Sequence, residues 1–242
     1  MTIRRVDDLS GFSLIELLIT LTIVLMIAGA IFQTINMTTQ RSSAEQTKVD
    51  MFQEAREFMD QMSRDLRQAG YPNPRNMDPA VFTQPSIVQD LHAAVGLVKV
   101  GTGDLWFEGD VDGSGSVSVV RYFYDTAGSN CPCLKRSQAY KTNGDPLANT
   151  SFTYQVEVQG VQSSNIFSAY TNGTAVVGGL PVDMAAASGT TIAGIDTVQA
   201  VLTLQASTID PQTRQKPVTT LVTTVRLNNC SQAAPGQKTS CQ

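Results

Sequence analysis

The chain has 242 residues, 42% of them hydrophobic, which is enough for one large domain or two small ones with a packed core. It is mildly acidic, with 17 Lys and Arg against 21 Asp and Glu, and it has no run of five or six like charges. Phosphate binding needs clustered cations, so no nucleic-acid partner is expected.

Helix breakers are distributed unevenly. All ten Pro and fifteen of the eighteen Gly lie at or beyond position 72, whereas residues 12 to 69 hold no Pro and only Gly29. A long N-terminal helix followed by a loop-rich β domain is expected, an α+β organisation.

The stretch LSGFSLIELLITLTIVLMIAGA, Leu9 to Ala30, contains one acid, Glu16, and no charge follows it from Leu17 to Gln40. The apolar part from Phe12 to Ile35 would be roughly 36 Å long as a helix, enough to cross a hydrocarbon core. A secretory signal would use Arg4 and Arg5 as its basic region and Ala28 to Ala30 as a cleavage site, leaving a mature chain from Ile31. A plain, uncut membrane anchor fits the same stretch. Neither accounts for Glu16, since a carboxylate near an apolar core costs on the order of 1 to 3 kcal/mol without a partner.

GFSLIE, Gly11 to Glu16, resembles the processing site of type IV prepilins and pseudopilins. The resemblance implies a leader over residues 1–11, cut between Gly11 and Phe12 by a prepilin peptidase, and N-methylation of Phe12. Glu16 would then be the fifth residue of the mature chain. In that family this carboxylate is held to meet the N-terminal amine of a neighbouring subunit, a pairing that cancels two charges costly in lipid. Asp7 and Asp8 offset Arg4 and Arg5, so orientation rests on those arginines and the initiator amine.

Residues 12–40 are thus expected as a membrane and filament-core helix, and residues 41–70 as its amphipathic continuation. Val49, Phe52, Ala55, Met59, Met62, Leu66 and Ala69 mark a dry face, with Lys48, Asp50, Glu54, Glu57, Asp60, Arg64 and Arg67 elsewhere. Gly70 should close the helix, with Pro72 and Pro74 behind it. RDLRQAGY, Arg64 to Tyr71, resembles the helix end of PilW-like minor pilins. Residues 71–242 are then the globular pilin domain.

Strand patterns follow at Gly96 to Val100, Leu105 to Phe107 and Ser116 to Tyr124. Ser151 to Gln159 alternates, with Phe152, Tyr154, Val156 and Val158 on one side. Thr197 to Ser207 and Val218 to Leu227 read as a hairpin around Asp210-Pro211. One antiparallel sheet covering the amphipathic half-helix is expected, the pilin architecture. Residues 161 to 194, rich in Gly, Ser, Ala and Thr, read as surface loop.

Four cysteines, Cys131, Cys133, Cys230 and Cys241, allow three pairings. Cys230 with Cys241 closes a short C-terminal loop, as in many pilins. It leaves Cys131 with Cys133 in a tight ring, so the crossed pairings stay open. In GDVDGSGSV, Asp110, Asp112 and Ser114 fall at the first three ligand positions of an EF-hand-type loop, but Arg121 stands where the bidentate Glu should be. Weak calcium binding by Asp110 and Asp112 is the sole cofactor expectation. His92 has no nucleophile in a recognisable motif around it, and no enzyme is expected.

The resemblance implies a minor pilin that helps initiate a type IV pilus at or near its tip. It would sit in the inner membrane by a single pass with its domain periplasmic, then in the pilus on the cell surface. Its partners would be major and minor pilins, the peptidase and the assembly platform. The alternatives are a J-type minor pseudopilin of a type II secretion system and a tip adhesin or DNA-binding module.

Overall fold

In the computed structural model the described residues are 12–72, 88–128, 131–148, 151–176, 178–185, 189–210, 213–229, 231–232 and 239–240. One helix, α1 (Leu14–Gln68), runs for 55 residues, about 83 Å at the usual rise. Its first half is bare: every described residue from Phe12 to Ser43 is exposed except Ala28, which is half-buried. Ala44 is buried, and continuous packing begins at Ala55.

The buried face of α1 is Ala55, Phe58, Met59, Met62, Asp65, Leu66 and, just past the helix end, Ala69. Each of the larger apolar side chains contributes about 1.5–3 kcal/mol by leaving water. Two expected members are missing, because Val49 and Phe52 are exposed. Periodicity continues through them, but the β domain does not cover that level of the helix on their side. Phe58 and Asp65 take places on the dry face instead.

The helix end is stitched to the sheet. Gly70 adopts φ 80°, the left-handed conformation that favours glycine after a helix. Its N–H donates to the Glu108 carbonyl at 2.9 Å, and the Asp110 N–H donates to the Tyr71 carbonyl at 2.8 Å.

The β domain contains two main sheets rather than the single one expected. β1 (Leu97–Val100), β2 (Asp104–Gly109), β3 (Ser118–Asp125), β4 (Cys133–Tyr140) and β5 (Gln155–Gln159) form an antiparallel meander. β8 (Val182–Asp183) is added beside β1. The second sheet has the order β10 (Val218–Arg226), β9 (Thr197–Gln205), β6 (Phe167–Thr171), β7 (Thr174–Ala175). α2 (Gly189–Ala193) precedes β9, and β11 (Ser231–Gln232) pairs with β12 (Thr239–Ser240).

The β9–β10 hairpin forms as the sequence pattern indicates, in unbroken register from Val218 opposite Gln205 to Arg226 opposite Thr197. The 161–194 region departs from expectation. It supplies β6, with Phe167 and Ala169 buried, and also the buried Ile166, Met184 and Ile192. Its alternation, Phe167 and then Ala169 in β6, is too brief to register as periodicity. β5 is also shorter than the alternating stretch. A register shift opposite Leu134 and Lys135 leaves Val156 exposed, since a bulge reverses which face a residue meets.

The hairpin runs alongside α1 in a fixed orientation. Near the apolar half, the Lys48 Nζ lies 3.1 Å from an Asp210 carboxylate oxygen. Midway, the Ser63 and Thr223 hydroxyls are 3.3 Å apart. At the far end, the Asn229 amide donates to the carbonyls of Arg67 and Ala69 at 3.2 and 3.1 Å.

Candidate functional site

The exposed half of α1 is the surface that needs explaining. Phe12, 80% exposed, precedes Ser13, whose carbonyl accepts the N–H groups of Glu16 and Leu17 at 3.0 and 3.2 Å. No side chain caps this terminus. Glu16 therefore lies in the first turn, where a carboxylate faces the positive end of the helix dipole. It lies four residues after Phe12, which precedes the helix, and among the described residues nothing pairs with it. Gly11 lies outside the described residues, as does the rest of the expected leader.

From Leu17 to Gln40 the hydroxyls look inward to the backbone. Thr20, Thr34 and Thr38 donate to the carbonyls of Leu17, Ala30 and Thr34 at 2.8–2.9 Å. Thr22 bridges the carbonyls of Leu18 and Ile19, and Thr39 those of Ile35 and Asn36. These polar groups need no water, which is the requirement hydrocarbon imposes. By length and composition α1 can cross a membrane, and none of its apolar span is buried in the protein. A core helix of a water-soluble domain would be covered.

The packed half is locked by a buried polar cluster that the sequence pattern did not single out. The Asp65 Oδ2 accepts from the Tyr122 hydroxyl at 2.6 Å and lies 2.9 Å from Nη2 of Arg136. Burial, and then Asp65, push the Tyr122 hydroxyl well above its ordinary pKa, so it stays a donor. The available signal was Asp65 itself, an acid three residues after Met62 on the dry face.

A second ion pair joins Glu108 and Lys141 at 2.9 Å, both side chains 1% exposed. The Val95 N–H also donates to Glu108, and Lys141 donates to the Ala93 carbonyl. Desolvation raises the Glu108 pKa despite the opposing pull of Lys141.

The Asp110 and Asp112 carboxylates turn onto their own loop. Asp110 accepts the N–H groups of Ser114 and Gly115 at 3.0 and 2.9 Å, and Asp112 accepts that of Ser114 at 3.0 Å. A cation there would have to displace these amides. Arg121, the residue at the twelfth loop position, binds Asp104 at 2.8 Å and lies over the Trp106 ring at 5.0 Å. Among the described residues no three His, Cys, Asp or Glu converge as metal ligands. His92 is half-exposed, with Nδ1 3.0 Å from an oxygen of the buried Asp90.

Cys131 and Cys133 are bonded to each other. Cys230 and Cys241 lie outside the described residues. The neighbouring backbone pairs Ser231 with Ser240. Compared with models of known families, with curated proteins and with solved structures, the chain matches none.

Proposed function

We propose that this chain is a minor pilin of the type IV pilus class, most like the PilW type. It is cut between Gly11 and Phe12, N-methylated at Phe12, and built into a filament through α1. The observation that carries this reading is a lone carboxylate, Glu16, one turn past Phe12 at the head of an uncovered apolar helix. That helix continues unbroken into a packed antiparallel β domain. A carboxylate left in lipid is costly, and the free amine created by cleavage at Phe12 is the partner that removes the cost.

On this reading the chain waits in the inner membrane with its β domain on the periplasmic side, then joins major and minor pilins near the filament tip. Mass measurement of the mature protein tests it. A chain beginning at Phe12 and carrying one methyl group is the expected result. A chain beginning at Ile31 or at Met1 overturns it. Loss of twitching motility on gene deletion is expected, and loss of enzyme secretion alone would move the chain to the pseudopilins.

A further inference from the structure

β10 is an edge strand of the second sheet, paired on one side only, with β9. The Ala206 N–H donates to the Pro217 carbonyl and the Leu227 N–H to the Asp196 carbonyl, both at 2.8 Å, which fixes the phase of the ladder. Bonded positions alternate in an antiparallel pair, so Thr219, Leu221, Thr223 and Val225 turn their backbone groups to β9. Those of Val218, Thr220, Val222, Thr224 and Arg226 point away from it, and among the described residues they have no partner.

Edges of this length are normally blunted by a bulge, a proline or charges along the strand. β10 keeps an unbroken register over nine residues, contains no proline, and carries one charge, Arg226, at its end. Val218 and Val222 are 56% and 59% exposed. Beside this edge lies the apolar patch of α1 that the β domain leaves uncovered: Val49 and Phe52 line one groove with Pro217, Val218 and Thr219. A strand added to β10 would pair the free ladder and cover that patch together, whereas a helix laid there would leave the edge groups unpaired.

The charges narrow the occupant. Arg56 lines the groove and Arg226 ends the strand, and neither makes an ion pair among the described residues. Lys48, also in the groove, is already held by Glu45 and Asp210. Asp60, one turn past Arg56, offsets only part of this positive charge. The β10 edge of a second copy fits poorly, since VTTLVTTVR would bring another arginine and no carboxylate.

We infer that β10 binds an extended segment of a partner protein by strand addition, with aliphatic side chains covering Val49, Phe52 and Val222 and carboxylates meeting Arg56 and Arg226. The inference stands whether or not α1 crosses a membrane, and its test leaves the processing of the chain untouched.

The test offers the full chain in nanodiscs a phage-displayed library of random peptides of about ten residues, enough to span β10. Selection is run against wild type and against Val222→Pro. The Val222 N–H faces outward, so proline there removes a docking donor without breaking a bond to β9. Thr220→Pro repeats the change at the neighbouring outward position. Enriched peptides are expected to alternate, to carry Asp or Glu, and to bind both proline variants at least about tenfold more weakly. They should slow hydrogen exchange at the Thr220, Val222 and Thr224 amides of the wild-type chain, a readout that stays decisive if a proline variant misfolds. Arg56→Glu with Arg226→Glu should weaken binding, most strongly at low salt.

Peptides that bind wild type and folded proline variants alike overturn the inference. So do binders that leave those amides unprotected, enriched peptides that are neutral or cationic, and a library that yields no binder. Wild-type dimers abolished by Val222→Pro would overturn the choice of occupant and assign the edge to a second copy.

Discussion

Tyr122 on β3 donates a 2.6 Å hydrogen bond to Asp65 on α1, and Arg136 on β4 lies 2.9 Å from the same oxygen. Three elements far apart in sequence thus share one buried carboxylate. Asp65→Ala would strand a largely buried guanidinium and a phenol, a loss of about 3–5 kcal/mol. Asp65→Asn keeps an acceptor for Tyr122 but removes the charge and should cost less. Urea unfolding of the β domain with the packed half-helix checks the order, and an Ala variant no worse than Asn contradicts it.

The same cluster makes stability depend on alkaline pH. The Tyr122 pKa is raised in the folded state, chiefly by burial and next by Asp65, while the unfolded phenol titrates near the ordinary value of about 10. A raised folded pKa contributes stability that is complete below the unfolded value and is lost as pH rises through the folded one. Above pH ~10 unfolding should therefore become easier by up to about 1.4 kcal/mol per pH unit for this proton. Tyr122→Phe should be less stable at neutral pH and should flatten that slope. An unchanged slope would assign the effect to the other tyrosines.

Gly109 tests the junction between helix end and sheet. A Cβ there would run into the Gln68 carbonyl oxygen and lie 2.9 Å from its carbon, and both atoms belong to the backbone. Gly109→Ala is expected to cost about 2 kcal/mol or more, because overpacked backbone must move. Gly29→Ala meets nothing within 4 Å and should leave the unfolding midpoint unchanged.

Peptide mapping without reduction resolves the cysteines. With Cys131 bonded to Cys133, trypsin should release Tyr122 to Lys135 as an unlinked peptide carrying an internal bridge. Leu227 to Lys238 should remain joined to the peptide beginning at Thr239, through Cys230 and Cys241. Either C-terminal peptide joined to Tyr122 to Lys135 would establish a crossed pairing.

On the proposed reading, Glu16→Ala separates processing from assembly. The change lies outside the Gly11–Phe12 bond, so the mature mass should still begin at methylated Phe12. Incorporation into filaments should fall about tenfold or more, which is what losing over 1.4 kcal/mol of pairing produces. Normal incorporation would show that the carboxylate has another purpose.

The parts of this fold legible in the sequence are those where one periodicity persists. The helix and the β9–β10 hairpin satisfy that condition, each over nine residues or more. β4 was not legible. It pairs on both sides, yet reads CLKRSQAY, because its long polar side chains reach partners such as Asp125 and Asp65 rather than an apolar layer. β6 was hidden by its small residues. Val49 and Phe52 carry the helical pattern beyond the region that the β domain covers, since a pattern records what can be buried and not what is. Of the candidate site, Glu16 was visible as the one acid beside a long apolar run, and Phe12 only through the motif resemblance of GFSLIE. Asp65 was not, because its value depends on Tyr122 and Arg136, 57 and 71 residues later.

The inward-turned hydroxyls of Thr20, Thr22, Thr34, Thr38 and Thr39 have one more consequence. Together with the helical backbone bonds, they would let this segment, on the proposed reading, exchange lipid neighbours for protein ones without breaking any of these bonds. Moving the threonines from one apolar surrounding to another is close to neutral. Glu16 is the charged exception, and its free energy differs more between the two surroundings than that of the uncharged amides Gln33 and Asn36. On the proposed reading, the direction of transfer is then set chiefly by a single carboxylate at the end of a helix whose hydroxyls carry their own acceptors.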